Sequence, residues 1–174
     1  LRFHAHLLQT PRYRAVPLGP DSYPQRAVIS DASWGDLNKE GLHGRICFIV
    51  LDPIGGRRMG GVLDIPFGSE LVQKLEARAT QIQAAETLGP LLALRFANVI
   101  LRHASANFFI DNISGLCCLA KGGSRRLDLS AITLGVSLGV CRFDVKPWWD
   151  YVESDSNLAD GGSRGQWRLP CPAP

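Results

Sequence analysis

The 174 residues are enough for one domain with a buried core, and an apolar share of 45% beside 20% charged residues is that of an ordinary globular protein. No apolar run approaches the ~18 residues that span a bilayer, so no membrane association is expected. The net charge of +3 is modest and uneven: residues 1–30 carry Arg2, Arg12, Arg14 and Arg26 against Asp21 (4 − 1 = +3), leaving 15 basic and 15 acidic residues elsewhere. A basic arm on a neutral body suits phosphate contact, and equally a solvated linker.

Residues 1–26 hold Pro11, Pro17, Pro20 and Pro24 with little periodicity, and read as an extended arm or the end of a preceding domain. The opening Leu1-Arg2-Phe3-His4 lacks the apolar stretch of a signal peptide, and the missing initiator Met is expected of a piece of a longer product. Residues 27–31 form a short buried-strand pattern ending on an acid, Asp31. A stronger strand follows at 45–51, a turn at Pro53-Ile54-Gly55-Gly56, and a returning strand at 61–65, which together predict an antiparallel meander.

Over 80–102 the period becomes helical, with Ala85, Leu88, Leu92, Phe96 and Val99 as the apolar stripe. Pro90 inside this stretch lacks a donor and crowds the Glu86 carbonyl, so a kink is expected. Residues 106–110 are a strand that again ends on an acid, Asp111, and Asn112 is a good N-cap for a helix to about Lys121. A buried helix is expected over 127–141 despite Gly135 and Gly139, then a strand at 148–152 and a helical turn at 158–164. The tail from 165 to 174, with Pro170, Pro172 and Pro174, reads as disordered. The order β-β-β-α-β-α-α-β-α predicts an α/β fold, a central mixed five-stranded sheet with helices packed on it, over 27–164.

Cys47, Cys117, Cys118, Cys141 and Cys171 are odd in number, form no C-x-x-C, and several lie in apolar runs. Reduced, buried thiols in an intracellular protein, cytoplasmic or nuclear, are expected rather than a disulfide frame or zinc site. His4, His6, His43 and His103 show no ligand spacing.

The chemistry rests on carboxylates. If the strands ending at Asp31 and Asp111 are neighbours, the two acids lie side by side at one sheet edge. Glu86 shares a helix column with Ile82, Gly89 and Ala93, whose small members let the helix approach the sheet. Asp160 opens the last helix and reaches the same place from the other side. Clustered carboxylates repel, and such a cluster persists where divalent cations neutralise it. Two Mg²⁺ ions roughly 4 Å apart would activate water and stabilise a leaving oxyanion in phosphodiester hydrolysis. Taken singly, Asp31 and Asp111 also suit turns or caps, Asp160 an N-cap, and Glu86 a solvated helix position.

The local sequences add a resemblance. Ile29-Ser30-Asp31-Ala32-Ser33 resembles the first-strand motif of retroelement ribonuclease H domains. Gln83-Ala84-Ala85-Glu86 with Leu91-Leu92-Ala93-Leu94 resembles the helix bearing their glutamate, and Phe108-Phe109-Ile110-Asp111-Asn112 their fourth-strand acid. Tyr151-Val152-Glu153-Ser154-Asp155-Ser156-Asn157-Leu158-Ala159-Asp160-Gly161-Gly162-Ser163-Arg164, the most specific match, is similar to the closing segment that delivers the fourth acid in retrotransposon reverse-transcriptase polyproteins. The separations, 86 − 31 = 55, 111 − 86 = 25 and 160 − 111 = 49, suit that family with a long insertion before the helix.

The resemblance implies a ribonuclease-H-like fold and a metal-dependent endonuclease that hydrolyses the RNA strand of RNA–DNA hybrids beside a reverse transcriptase domain in one polyprotein. It implies two Mg²⁺ ions (Mn²⁺ substituting) on Asp31, Glu86, Asp111 and Asp160. Ser33, Gln83 and Asn112 are candidates for substrate contact, and Lys121, Arg125 and Arg126 for phosphates, although a solvated loop fits the basic cluster equally. The loop histidine of many such enzymes is missing between Asp111 and Asp160, which predicts slow product release. Other readings are an integrase, transposase or resolvase on the same fold, and a degenerate non-catalytic nucleic-acid-binding domain.

Overall fold

A computed structural model describes residues 23–35, 37 and 40–166 of the chain, so residues 1–22 of the arm expected over 1–26, and 167–174 of the tail expected over 165–174, lie outside the described residues. Five strands form one sheet: β1 (Gln25–Trp34), β2 (Leu42–Leu51), β3 (Arg58–Pro66), β4 (Ser105–Ile110) and β5 (Lys146–Tyr151). Their order is β3-β2-β1-β4-β5, with β1–β2 and β2–β3 antiparallel and β1–β4 and β4–β5 parallel. The expected meander and mixed five-stranded sheet are both present. The helices are α1 (Glu70–Gln73), α2 (Ile82–Phe96), α3 (Asn98–Leu101), α4 (Ile113–Lys121), α5 (Leu127–Phe143) and α6 (Asp160–Ser163).

β1 is the central strand, and every residue from Val28 to Ser33 is buried because both of its faces are covered. Val28 and Ala32 alternate into the cores beneath the helices, whereas Ile29 joins Cys47, Ile49 and Ala159 on the other face. The strand does not end at Asp31, as its apolar pattern suggests, but continues to Trp34 through pairs with β2. Residues 25 and 26, grouped with the arm from composition, open the strand. Arg26 is therefore no arm charge: it is 7% exposed and pairs with Asp52 at 2.9 Å.

α2 crosses β1 and β2 and packs in turn on α5. Its buried column runs through Glu86, Gly89, Pro90, Ala93 and the cap residue Ala97, so small side chains set the spacing. A Cβ on Gly89 would stand 2.5 Å from Ser30 Cβ and 2.6 Å from its Oγ, which shows how closely helix meets strand. Gly135 and Gly139 play the same part between the helices, where added Cβ atoms would meet Leu91 and Leu94 at 3.4 and 3.3 Å.

Two details of the helix differ from the sequence pattern. The helix, expected over 80–102, includes Pro90 within it and breaks at Ala97, with α3 following. Phe96 and Val99, expected in the buried stripe, are 59% and 68% exposed, because the small-residue column faces the sheet and turns Phe96 outward, and the break at Ala97 puts Val99 on α3. The insertion between β3 and α2 docks on the start of α5. Glu76 Oε1 accepts from Leu127 N–H at 2.7 Å, and Arg78 pairs with the buried Asp128. No helix among the described residues is long and apolar enough to cross a membrane.

The cysteines also depart from expectation. Four are free, but only Cys47 is buried; Cys117 and Cys141 are exposed, and Cys171 lies outside the described residues.

Because Gly89 sets the depth of α2, Gly89→Ala is expected to destabilise the fold by about 1–3 kcal/mol through overpacking. That loss exceeds the roughly 0.5–1 kcal/mol by which alanine improves on glycine in a helix. Urea unfolding checks it: the midpoint should fall with the slope unchanged, and an unchanged midpoint would mean that α2 stands off β1 without cost.

Candidate metal centre

The register brings the first two acids together. Ile29 pairs with Phe109, so two residues on, at Asp31 and Asp111, the chains still run side by side as β4 gives way to α4. Asn112 caps α4 through its Oδ1, which accepts from Gly115 N–H at 2.9 Å, and so sets where the chain leaves the sheet. Gly89 lets α2 sink onto β1 one turn beyond Glu86, and Glu86 Oε1 accepts from Ala32 N–H at 3.0 Å.

The outcome is a cluster of Asp31, Glu86 and Asp111 in which one carboxylate oxygen from each lies within 4.8 Å of the others. Asp31 and Glu86 are 4% and 3% exposed, and Asp111 is half-buried. They line a cavity of about 370 Å³ with Ala32, Ser33, Trp34, Thr80, Ile82, Asn112, Asp160 and Arg164. Asp160 stands at the rim as the first residue of α6, with its Oδ1 taking the Arg164 guanidinium at 2.7 Å.

Burial is the main cause that pushes the Glu86 carboxyl up to about 9, reinforced by Asp31 and Asp111 and opposed by the Ala32 N–H. Asp31 rises to about 7, again chiefly through burial; the Ser163 hydroxyl acts against the rise, while Asp111 and Asp160 add to it. Beneath them, burial and the Asp31 charge push the Cys47 thiol up to about 12, so it offers no thiolate.

Does the donor set suit a cation? Glu86 Oε2 is buried with no hydrogen-bond partner among the described residues, a costly state that a cation would relieve. All the offered atoms are carboxylate oxygens, the donors preferred by hard divalent ions such as Mg²⁺, Mn²⁺ and Ca²⁺. The residues present therefore fit a divalent metal.

The remaining candidates separate. Ser33 and Asn112 lie on the acid cavity, although the Ser33 hydroxyl donates to the Ser163 carbonyl at 2.7 Å. Gln83 Nε2 donates to Ser114 Oγ at 2.7 Å and joins α2 to α4. Lys121 and Arg125 line another cavity, of about 550 Å³, with Ser114, Cys117, Cys118 and Ser124. Arg126 leaves this basic group and pairs with Glu76 at 3.3 Å, because it sits at the N-cap of α5 where the insertion docks. Asn157, Ser163 and Ser154, which donate to the clustered acids, carry no signal of their own in the sequence beyond their place in the closing motif.

The raised carboxyls give a pH test. From the ordinary carboxylate range up to about 7 for Asp31 and about 9 for Glu86, the folded state holds protons that the unfolded chain has released. The metal-free protein therefore loses stability as pH rises through this window. Urea midpoints in chelator should be higher at about pH 5 than at about pH 9, and Glu86→Gln should flatten the difference. A wild-type midpoint that rises with pH would contradict the buried cluster.

No protein-family model matches the chain, and no curated protein matches it. Solved structures do. RNase H1 of the halophilic archaeon Halobacterium salinarum aligns at TM-score 0.59 and 16% identity, covering 80% of this chain and 93% of that one. The N-terminal RNase H domain of a Mycobacterium tuberculosis protein, solved fused to maltose-binding protein, aligns at 0.58 and 11% identity, covering 82% and 92%. An RNase H1 isolated from compost by a metagenomic approach aligns at 0.57 and 10%, covering 82% and 97%. The fold of this chain is ribonuclease-H-like.

Proposed function

We propose that this protein is a ribonuclease-H-type endonuclease that hydrolyses the RNA strand of RNA–DNA hybrids, as a domain of a retroelement reverse transcriptase polyprotein. The observation that carries the reading is the convergence of Asp31 on β1, Glu86 on α2 and Asp111 just past β4, with one carboxylate oxygen from each within 4.8 Å of the others and one Glu86 oxygen without a hydrogen-bond partner among the described residues. The retroelement setting is supported by the closing sequence from Asn157 to Arg164.

Asp31, Glu86, Asp111 and Asp160 would hold two Mg²⁺ ions, which when bound supply Lewis acidity to a water nucleophile and to the leaving oxyanion. The chain's own residues do the rest. The two buried acids form the floor, while Asp160, less buried and held by Arg164 on a four-residue helix, would complete the site from the side. Asn112 and Ser33 present polar groups at the cavity wall, and Gln83 braces α4 against α2 beside it. Lys121 at the end of α4 and Arg125 in the connection to α5 line a neighbouring cavity, where their charges suit a backbone phosphate. Hybrid recognition would rest on ribose 2′-hydroxyls and groove width rather than base sequence.

Two predictions follow from these roles. Mg²⁺ or Mn²⁺ should raise the melting temperature by binding the folded state preferentially, and Asp111→Asn should remove most of that shift while stabilising the metal-free protein. Equal shifts in both proteins would return Asp111 to an ordinary surface acid. In single-turnover assays on labelled hybrid, Asp31→Asn or Glu86→Gln should lower cleavage to background with hybrid binding kept, and Asp160→Asn should be milder. With no histidine between Asp111 and Asp160, wild-type steady-state turnover should lag behind its single-turnover rate. A folded wild type that binds hybrid and cuts nothing with either cation would leave a binding domain only.

A further inference from the structure

The closing segment that brings Asp160 to the rim also grips the acids beneath it. Asn157 Nδ2 donates to Asp31 Oδ1 at 3.2 Å and to the Ser30 carbonyl at 3.1 Å. Its own Oδ1 accepts from Ala159 N–H at 3.0 Å, so the backbone determines which end of the amide is oxygen and which faces Asp31. Ser163 Oγ donates to Asp31 Oδ2. The Asp160 carbonyl also lies within reach of that hydroxyl at 2.9 Å, but an ionised carboxylate is the stronger acceptor. Ser163 is held in place from below, since its carbonyl accepts from Ser33 Oγ at 2.7 Å. Ser154 Oγ donates to Asp111 Oδ2 at 3.0 Å.

Both oxygens of Asp31 and one of Asp111 are thus bound by one short stretch of chain, 126, 132 and 43 positions away in sequence. Asn157 and Ser163 are 6% and 0% exposed, so neither bond has water as a ready substitute. We propose that Asn157, Ser163 and Ser154 are positioning residues that aim the Asp31 and Asp111 carboxylates, and that the closing segment is a neutral hydrogen-bond clamp on the cluster as well as the bearer of Asp160. The proposal rests on the divalent-cation reading of the cluster.

The donors' neutrality is what makes the clamp useful. A lysine or arginine in their place would orient the carboxylates equally well, but its charge would cancel the field that attracts a cation. An amide and two hydroxyls fix direction and leave the negative charge in place. Each carboxylate oxygen has two lone-pair sites, so one donor per oxygen still leaves a site for a metal.

The test compares Ser163→Ala, Asn157→Ala and the exposed Ser154→Ala with wild type and with Leu158→Ala, a control in the same segment whose side chain is 62% exposed. Mn²⁺ affinity is measured by titration of the full chain, and single-turnover cleavage of hybrid at saturating Mn²⁺ gives rate and KM separately. Loss of a group that orients a metal ligand typically weakens metal affinity or activity roughly 10–100-fold. Ser163→Ala and Asn157→Ala should fall in that range, with the loss in affinity and kcat rather than in KM for hybrid. Ser154→Ala should be weaker, and Leu158→Ala should match wild type. In chelator, Ser163→Ala and Asp31→Asn should shift the urea midpoint non-additively, because each removes the same bond. Should the buried variants unfold, Ser154→Ala decides: a reduced Mn²⁺ affinity supports the clamp. Wild-type affinity in all folded variants overturns it while leaving the metal site standing. A wild type that takes up no Mn²⁺ overturns the metal reading and the clamp together.

Discussion

Everything at the functional end of this molecule depends on the packing of three carboxylates against one another in a largely buried place. With oxygens no more than 4.8 Å apart, each ionised pair costs on the order of 3 kcal/mol at an effective dielectric near 20. Two structural features impose that cost: the parallel pairing of β1 with β4, and the descent of α2 onto β1 at Gly89. Protons relieve it in the free protein: burial first, and the neighbouring carboxylates in addition, make Glu86 and Asp31 hold theirs far above the usual range. A divalent cation would relieve it more fully, since it would also satisfy the Glu86 oxygen that has no hydrogen-bond partner among the described residues.

The surrounding architecture keeps this arrangement from relaxing. α2 cannot withdraw Glu86 without losing the buried column that continues through Gly89, Ala93 and Ala97, and α5 presses on its far side at Leu91 and Leu94. The cap at Asn112 fixes the exit of β4, so Asp111 cannot slide away along the strand. From the other face the closing segment ties Asp31 through Asn157 and Ser163. The site is thus strained electrostatically and rigid mechanically, a combination suited to binding charge of the opposite sign with little rearrangement.

Much of this was legible in the sequence where an acid follows an apolar run, because a strand that ends on a charge carries its own signature. Asp31 and Asp111 stood out that way, and the small residues around Glu86 announced a close helix–sheet contact. What stayed hidden depends on contacts between distant positions. The exposure of Phe96 followed from which side of α2 met the sheet, and that of Val99 from the break at Ala97 that puts it on α3, neither of which the apolar stripe alone disclosed. Arg26 read as an arm charge because its partner Asp52 lies just past the end of the neighbouring strand, and Arg126 as a phosphate ligand because Glu76 arrives from an insertion. Asn157 and Ser163 are common polar residues whose roles appear only when the chain end folds back over β1.

The most direct test of the central claim is to incubate the wild-type protein with labelled RNA–DNA hybrid, duplex DNA and duplex RNA, with Mg²⁺, with Mn²⁺ and in chelator. The account predicts internal cuts in the RNA strand of the hybrid alone, appearing with either cation and abolished by chelator. Cleavage that persists in chelator, or that falls equally on duplex DNA, would contradict it.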